Sequence, residues 1–556
     1  MSIVVEPHGR LRWRIRSTYF SPKLRYAGRH TPGLKFWEGE EDGVHTRAWV
    51  GLADAVDACA RRLREMGLRV QGDVPEPGGD ELTLTLPIAT SGLFDYQIEG
   101  VEFLVAYARE GAILADQMGL GKTAQASRAA RAFRTKTLVI CPAMVKQTWR
   151  DEMAKWWPTA RVAEVKGGAK VASEKAWNEI ARDADVVVIH YDVVAAWADF
   201  IVGWAKLLIL DEAHYLVSDK ARRSRAIRQI ADWCPYRFAL TGTPMVSRPR
   251  DMWNLLDTLY GGRFGKFFSF AINYCDAHQF EVESKKGGAA STKVFWSFDG
   301  ASNLPELKRR MKFVMLRRTK KQVAHELPPM TRQYLHVEVP RAKIIAPHLA
   351  FKSESALKHA LTMAADGKLP QVVALVCDHA RAGDHKVIVW CWRRKIAEFI
   401  AQEVHREMQK LGKSTTVGVV HGGQTHSERR RRIDKEPDVL CATMDSIGVG
   451  VNLISYDTQV FAELSWLPST LAQSEARPHR HGQKRKVLTQ YVIARSTCDE
   501  WIKQGIIEKL DTAEQAIGES GDGMLEDLEA SNARTRERGL RDLYDRVVEK
   551  MKEDAA

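Results

Sequence analysis

The eight residues Asp116-Gln117-Met118-Gly119-Leu120-Gly121-Lys122-Thr123 constrain this chain more than any other stretch. They follow the apolar run AILA (112–115) and lead into a helical pattern. Strand, glycine loop and helix in that order make a phosphate cradle. The glycines let backbone N–H groups come close to phosphate oxygens, and the helix N-terminus adds the positive end of its dipole. Such a loop belongs at the carboxyl edge of a parallel sheet, so the expected fold is α/β. Lys122 is placed for the β- and γ-phosphates, and Thr123 can offer its hydroxyl to Mg²⁺. Asp116 stands where the usual first glycine would be, so the loop alone is only a moderately specific signal.

The rest of the chain supports that reading. From about 81 to 332, apolar runs alternate with helical patterns: TLVIC (137–141), DVVVIH (185–190), LLIL (207–210) and RFALT (237–241). Alternation of this kind indicates parallel βαβ units. It fades over 340–384, which reads as helical. It resumes with KVIVWCW (386–392), TVGVVH (416–421), DVLCAT (438–443), TQVFAEL (458–464) and LTQYVIA (488–494). The expected architecture is α/β, two doubly wound parallel-sheet lobes with helical insertions, preceded by a small α+β domain. The boundaries are 1–70 for that domain, 71–84 for a linker and 85–332 for the first lobe. A helical insertion or linker follows over 333–384, then the second lobe over 385–515. A charged C-terminal helix over 516–556 is read as packing, with dimerisation the alternative.

LLIL runs into Asp211-Glu212-Ala213-His214. An apolar strand ending in two acids puts them where ligands of such sheets bind. Asp211 can hold Mg²⁺ through its water shell, and Glu212 can orient and deprotonate an attacking water. The bland alternative is a solvated acidic turn. A third element lies in the second alternating region: Gln473-Ser474-Glu475-Ala476-Arg477-Pro478-His479-Arg480, followed by Gly482-Gln483. Gln473 is taken as a nucleotide contact. Arg477 and Arg480 are three residues apart and share a face if the segment is helical. An arginine brought to the γ-phosphate stabilises transition-state charge; Arg480 is the first choice, with Arg477 beside it.

These three elements in this order resemble helicase superfamily two, and further residues resemble its Swi/Snf branch. Phe94-Asp95-Tyr96-Gln97-Ile98-Glu99-Gly100-Val101 looks like that family's adenine-recognition motif, with Gln97 as the reader. CPAMVKQTWRDEMAKW (141–156), Leu240-Thr241-Gly242-Thr243-Pro244, Met315-Leu316-Arg317-Arg318 and Glu326-Leu327-Pro328 also match. Within the family the likeness is to the annealing-helicase branch. It rests on Tyr274-Cys275-Asp276-Ala277, Ser302-Asn303-Leu304 with Glu306-Leu307, and Phe461-Ala462-Glu463-Leu464 with Trp466 and Pro468. The resemblance covers residues 85–515 and implies that the two lobes are RecA-like. It implies a DNA-dependent ATPase using ATP and Mg²⁺, acting on double-stranded or branched DNA to rewind it or remodel forks. A single-strand-binding protein is a possible partner. It also implies that Thr241 and Gly242 link ATP state to DNA grip. Pro478 and the segment 443–448 depart from the family's pattern, which puts the coupling of hydrolysis to movement in question.

Residues 10–37 carry eight Lys or Arg and no acid, with six aromatics interleaved. The run RLRWRIR alternates strictly. As a strand it buries Leu11, Trp13 and Ile15 and displays Arg10, Arg12, Arg14 and Arg16 about 7 Å apart, a spacing that follows a phosphate backbone. The bland alternative is an edge strand protected by charge. Leu52, Val56, Cys59, Leu63 and Met66 form one helical stripe able to cover the buried face. The arrangement loosely resembles the substrate-recognition module of annealing helicases.

A net charge of +13 fits a polyanionic partner. Eight scattered cysteines without a CxxC pair give no readable zinc site and fit a reducing compartment. No run of 18 apolar residues and no signal-peptide core are seen, so the expected setting is cytoplasmic, in a bacterial or phage source, or nuclear in a eukaryote. A monomer is expected. Three rival readings stand beside the duplex motor: a strand-separating DNA or RNA helicase, a non-catalytic DNA-binding scaffold, and a remodeller of protein–DNA complexes in a phage or defence system. Intact Lys122, Glu212 and Arg480 argue against the scaffold.

Overall fold

The computed structural model describes residues 3–7, 12–17, 24, 27, 31, 34–41, 44–66, 68–72, 88–216, 218–242, 249–286, 289–298, 300–323, 327–345, 349, 354–383, 385–447, 453–465, 468–480, 482–500 and 502–503. The expected charged C-terminal helix and most of the expected 71–84 linker lie outside them. The chain divides into two compact units, residues up to 116 with 121–317, and residues 117–120 with 318 onward.

The first unit opens with a five-stranded sheet: β1 (Ile3–Pro7), β2 (Arg12–Ser17), β3 (Lys35–Glu41), β4 (Val44–Leu52) and β5 (Val70–Gln71), in the order β3-β4-β2-β1-β5. The helix Ala53–Glu65 lies against it. Val56, Cys59, Ala60 and Leu63 share a core with Ile3, Val5, Ile15 and Trp49. Two expectations change here. The arginine-rich strand β2 is interior, hydrogen-bonded to β1 on one side and β4 on the other, so it is no edge strand. Leu52 ends β4, so the helical stripe starts after it. Val44–Leu52 is rich in β-branched and aromatic residues, which favour the strand.

The same unit contains a seven-stranded, wholly parallel sheet. Its strands are β6 (Ala112–Leu114), β7 (Thr137–Cys141), β8 (Val162–Glu164), β9 (Val186–His190), β10 (Leu207–Asp211) and β11 (Tyr236–Leu240). After a two-stranded hairpin, β12 (His278–Lys286) and β13 (Ala289–Ser297), the seventh strand β14 (Met315–Leu316) follows; the order is β14-β6-β11-β10-β7-β9-β8. Strands β7 and β10 are buried along their whole length, which is why they read as continuous apolar runs.

The second unit is built on six parallel strands: β15 (Met330–Val337), β16 (Val387–Cys391), β17 (Val417–Val420), β18 (Val439–Thr443), β19 (Thr458–Phe461) and β20 (Val487–Ala494). Their order is β15-β20-β19-β16-β18-β17. Strand β15 pairs with β20 along its full length, so the second sheet begins well before 385. The stretch 333–384, expected as an insertion or linker, is part of this unit. Its helix Glu354–Ala382 packs Val372, Val376 and Cys377 against β16, β19 and β20. By length and composition part of that helix, Ser355–Ala382, passes for a membrane span, which the sequence reading had not found. Its buried Lys368 is ion-paired to Asp499 at 2.6 Å, as in the core of a folded domain.

Candidate nucleotide site and its supports

The glycine loop runs from β6 into the helix Lys122–Phe133. Gly119 and Gly121 have φ of 89° and 78°, a region that side chains avoid. At Gly121 a Cβ would stand 2.4 Å from Gln97 Nε2, so the expected adenine reader touches the loop itself. Gln97 also takes a hydrogen bond from the Phe94 N–H at 3.2 Å, which anchors its helix start. Asp116 is buried. Its carboxylate accepts from Gln125 Nε2 at 3.1 Å and its carbonyl accepts from Lys122 Nζ at 2.5 Å. The departure from glycine at 116 therefore ties the loop to its helix. Gln117 N donates to Arg318 O at 2.9 Å, and its side chain accepts from Lys320 N. Met118 and Leu120 are buried apolar anchors. Arg317 Nη1 donates to Ala115 O and Gly242 O at 2.9 and 3.1 Å.

Asp211 ends β10 and Glu212 turns away from it with φ 49°, left-handed backbone that costs a non-glycine residue about 1–2 kcal/mol. Strain of this kind collects at functional sites. Trp149 Nε1 donates to Asp211 Oδ2 at 2.7 Å, Glu212 N donates to Oδ1 at 3.0 Å, and Tyr191 OH donates to the Asp211 carbonyl at 2.8 Å. Burial still raises the Asp211 pKa. Burial lowers that of Lys122, opposed by the nearby charges of Glu212, Asp116 and Asp211. The strand register agrees: Leu114 and Asp211 are both level with Leu240 of β11, so the loop and the two acids leave the sheet at the same edge. His214 Nδ1 sits 3.5 Å from Glu212 Oε2 and 3.4 Å from Thr241 Oγ1, and burial pushes its pKa down to about 3. Among the described residues no cluster of three His, Cys, Asp or Glu could hold a metal by itself. The donor set offered by Thr123 and Asp211 suits Mg²⁺, which keeps its other positions for phosphate and water.

Thr241 and Gly242, expected at the DNA, are buried. Thr241 N donates to Leu114 O at 3.1 Å, its hydroxyl faces His214, and the Gly242 carbonyl accepts from Arg317. Residues 243–248 lie outside the described residues.

In the second unit the helix Pro468–Glu475 ends before either arginine. Arg477 and Arg480 therefore sit in successive turns and not on one helical face. Pro478 is the reason: it lacks an N–H and disfavours helical backbone in the residue before it. Arg477 is buried and Arg480 partly so; desolvation lowers the Arg480 pKa. The turns are held by groups the sequence reading had not singled out. Arg332 grips Glu475 with bonds of 2.8 and 2.9 Å, and Gln459 Nε2 donates to the Glu475 carbonyl at 3.1 Å. Lys320 Nζ donates to His479 O at 2.7 Å, and Gln483 Nε2 bonds the carbonyls of Ile454, Tyr456 and Pro478 at 3.0, 3.1 and 3.2 Å. Within this unit a Cβ on Gly119 would lie 3.2 Å from Arg480 Cβ. Gln473 is partly buried.

In the first unit, Asp54 at the start of its helix is fully buried between Arg263 and Arg310, with N–O distances of 2.7 Å to each. Burial pushes the Asp54 pKa up, but the two guanidiniums outweigh it and the net shift is downward. Arg62 meets Glu306 at 3.1 Å, and Glu306 also accepts from Tyr274 and Asn303 at 2.8 and 3.0 Å. So Tyr274, Asn303 and Glu306, three residues of the annealing-helicase likeness, fasten the N-terminal sheet to the first lobe. Of the four N-terminal arginines, only Arg14 has a described side chain; it is partly buried. Arg10 and the side chains of Arg12 and Arg16 are outside the described set.

An SNF2-related domain matches residues 96–362, and a helicase conserved C-terminal domain matches 367–482. The chain belongs to the SNF2-related (Swi/Snf) family of helicase superfamily two. It is 29% identical over 496 residues to SWI/SNF-related matrix-associated actin-dependent regulator of chromatin subfamily A-like protein 1 of Xenopus tropicalis, covering 84% of this chain and 49% of that protein. It is 28% identical over 464 residues to the human DNA annealing helicase and endonuclease ZRANB3, covering 79% and 41%. The chain thus spans about half the length of the curated relatives it matches. A Sulfolobus solfataricus SWI2/SNF2 ATPase core in complex with dsDNA aligns over 82% of this chain and 100% of that one, with 22% identity and a TM-score of 0.39.

Proposed function

We propose that the chain is a DNA-dependent ATPase that translocates on double-stranded DNA and rewinds it or remodels branched structures. The observation that carries this is that the glycine loop after β6 and the acids Asp211 and Glu212 after β10 leave the same carboxyl edge of one parallel sheet, with Leu114 and Asp211 both level with Leu240 of the strand between them. ATP binds along the glycine loop, with Gln97 reading adenine and Gln473 a further contact. Thr123 and Asp211 hold Mg²⁺, which neutralises phosphate charge when bound. Glu212 orients and deprotonates the attacking water. Trp149 and the backbone of Glu212 fix Asp211 in place. Arg480, with Arg477 beside it, stabilises transition-state charge. His214 joins Glu212 to Thr241 and so connects hydrolysis to the segment that follows.

The DNA partner is duplex or branched. Its recognition rests on phosphate contacts that position without reading sequence, and a single-strand-binding protein is a partner during rewinding. The N-terminal sheet contributes Arg10, Arg12, Arg14 and Arg16 to phosphate binding. Changing all four to Gln lowers the salt slope of duplex binding by up to roughly four phosphate contacts, each about 0.9. The test of the whole reading is hydrolysis measured with no nucleic acid, single strands, duplex, forked DNA and RNA. Stimulation by duplex and fork supports it; stimulation by RNA alone overturns it. A tailed duplex unwound with ATP would favour a strand-separating helicase.

A further inference from the structure

Among the described residues fourteen large hydrophobic side chains stand exposed, and six of them fall between 268 and 296: Phe268, Ile272, Phe280, Val294, Phe295 and Trp296. Such concentration marks an interaction surface, since singly scattered apolar groups need no explanation. Most of the patch is the hairpin β12–β13, which among the described residues pairs with neither large sheet. Its two faces differ. On one, Trp296 is braced edge-on by Phe268 at 5.0 Å and stacked with Phe298 at 6.2 Å. On the other, Phe280 and Phe295 stand directly opposite each other across the strands, ring centroids 6.0 Å apart, 44% and 47% exposed. The hairpin's root is fixed. Arg263, Tyr274, Glu306 and Arg310 flank it in sequence and hold the buried bonds to Asp54 and Arg62 already described.

We propose that the Phe280–Phe295 face is a stacking platform for unpaired nucleobases at a duplex junction. Three features favour bases over a second copy or a protein. Two side-by-side rings offer the flat π surface on which bases stack regardless of sequence. Leaving aside Arg263, Arg310 and Glu306, which are buried in the ion pairs with Asp54 and Arg62, the segment 261–312 carries seven Lys or Arg against four Asp or Glu, a charge suited to a polyanion. A second copy of a chain of net charge +13 would bring like charge together at this face. The fixed root pre-organises the platform, so little ordering cost attends binding. The proposal rests on the reading of the chain as an enzyme of branched DNA: it names the feature of the branch that is recognised.

The test places 2-aminopurine in the unpaired arm of a forked duplex and follows its fluorescence on mixing with the full chain, without nucleotide. Quenching is expected with the wild type. The double change Phe280→Ala with Phe295→Ala removes the quench and lowers affinity for fork over plain duplex by about 5- to 100-fold. Duplex-stimulated hydrolysis stays at the wild-type level. Phe280→Tyr with Phe295→Tyr retains both signals. Both rings are exposed, so the alanine variant keeps its core. Absence of quenching in the wild type, or quench and fork preference retained in the alanine variant, overturns the platform. So does a loss of self-association on sedimentation with DNA behaviour unchanged, which would make the face a contact between copies. Quenching without any DNA-stimulated hydrolysis would instead leave the platform standing and sink the motor.

Discussion

After β6 the chain enters the helix Lys122–Phe133 through seven residues that include Gly119 and Gly121; after β16 it enters Arg394–Lys410 through Trp392 and Arg393 alone. Both turns lie at the carboxyl edge of a parallel sheet and both aim helix N–H groups outward. In the second unit an internal carboxylate occupies that position. Glu463 accepts from the N–H groups of Trp392 and Arg393 at 2.9 Å each and from Arg393 Nε at 2.7 Å. After β6 the helix starts at Gly121 with no side-chain cap, and Asp116, the acid within that turn, directs its carboxylate to Gln125. One scaffold thus carries its own anion in one lobe and a loop shaped for phosphate in the other. This asymmetry supports the proposal that phosphate binds at the turn after β6 and not at the turn after β16.

The largest effect that tests this division is Arg480→Ala. If Arg480 supplies charge only in the transition state, the variant binds ATP normally and loses DNA-stimulated hydrolysis by up to about 10³–10⁵. Unchanged stimulation would move the role to Arg477. Next is Glu212→Gln, which removes the base while Asp211 stays held by Trp149. Turnover falls by about 10²–10⁴ with ATP and DNA binding retained, read by single-turnover hydrolysis and nucleotide affinity. Lys122→Ala weakens nucleotide binding itself. Normal turnover in Glu212→Gln would end the assignment of chemistry to the first lobe.

The loop and the two acids stood out in sequence because each sits next to a buried strand. The loop follows AILA and the acids follow LLIL, and such runs are readable without tertiary knowledge. In the two parallel sheets the strands not foreseen, β8, β14 and β15, all lie at sheet edges, where half-exposure breaks the apolar run. The same cause moved the start of the second sheet from 385 to Met330. The arginines were placed on a helix because their spacing allowed it; Pro478 decided otherwise. The contacts of Lys320, Arg332 and Glu463 left no periodic signal, because a buried ion pair or hydrogen bond joins residues far apart in sequence. Glu463 lay within the annealing-helicase likeness, but only the fold shows what it bonds.

Glu463→Ala tests the comparison from the other side, by removing the anion that the second unit carries for itself. Two helix N–H groups and the partly exposed Arg393 then lose a charged acceptor, which costs about 3 kcal/mol of stability. Denaturant unfolding should show the loss. Glu463→Gln, which still accepts with one oxygen, loses less. A stability equal to wild type in the alanine variant would mean that the acid is incidental and the two turns are alike.

The smallest effect is a dependence on pH that the two units share. His214 in the first unit and His479 in the second are each 8% exposed, and burial lowers their pKa values to about 3 and about 4. His479 accepts or donates at Nε2 against the Pro328 carbonyl at 2.8 Å; with a carbonyl as partner, the neutral ring donates there. A histidine whose folded pKa lies below its unfolded value of about 6.5 takes up its proton more readily in the unfolded chain. Stability is therefore full above about 6.5 and falls as the pH drops towards the folded value. Each ring contributes a slope of about 1.4 kcal/mol per pH unit in that window, so bringing the pH from 6.5 to 5 costs about 2 kcal/mol per histidine. Replacing His479 with Gln should remove its share of the acid slope without touching ATP affinity. Replacing His214 removes the other share and also uncouples Glu212 from Thr241. If both variants kept the wild-type slope, the two rings would be protonated in the folded chain, and the dry, neutral contact assigned to each could not stand.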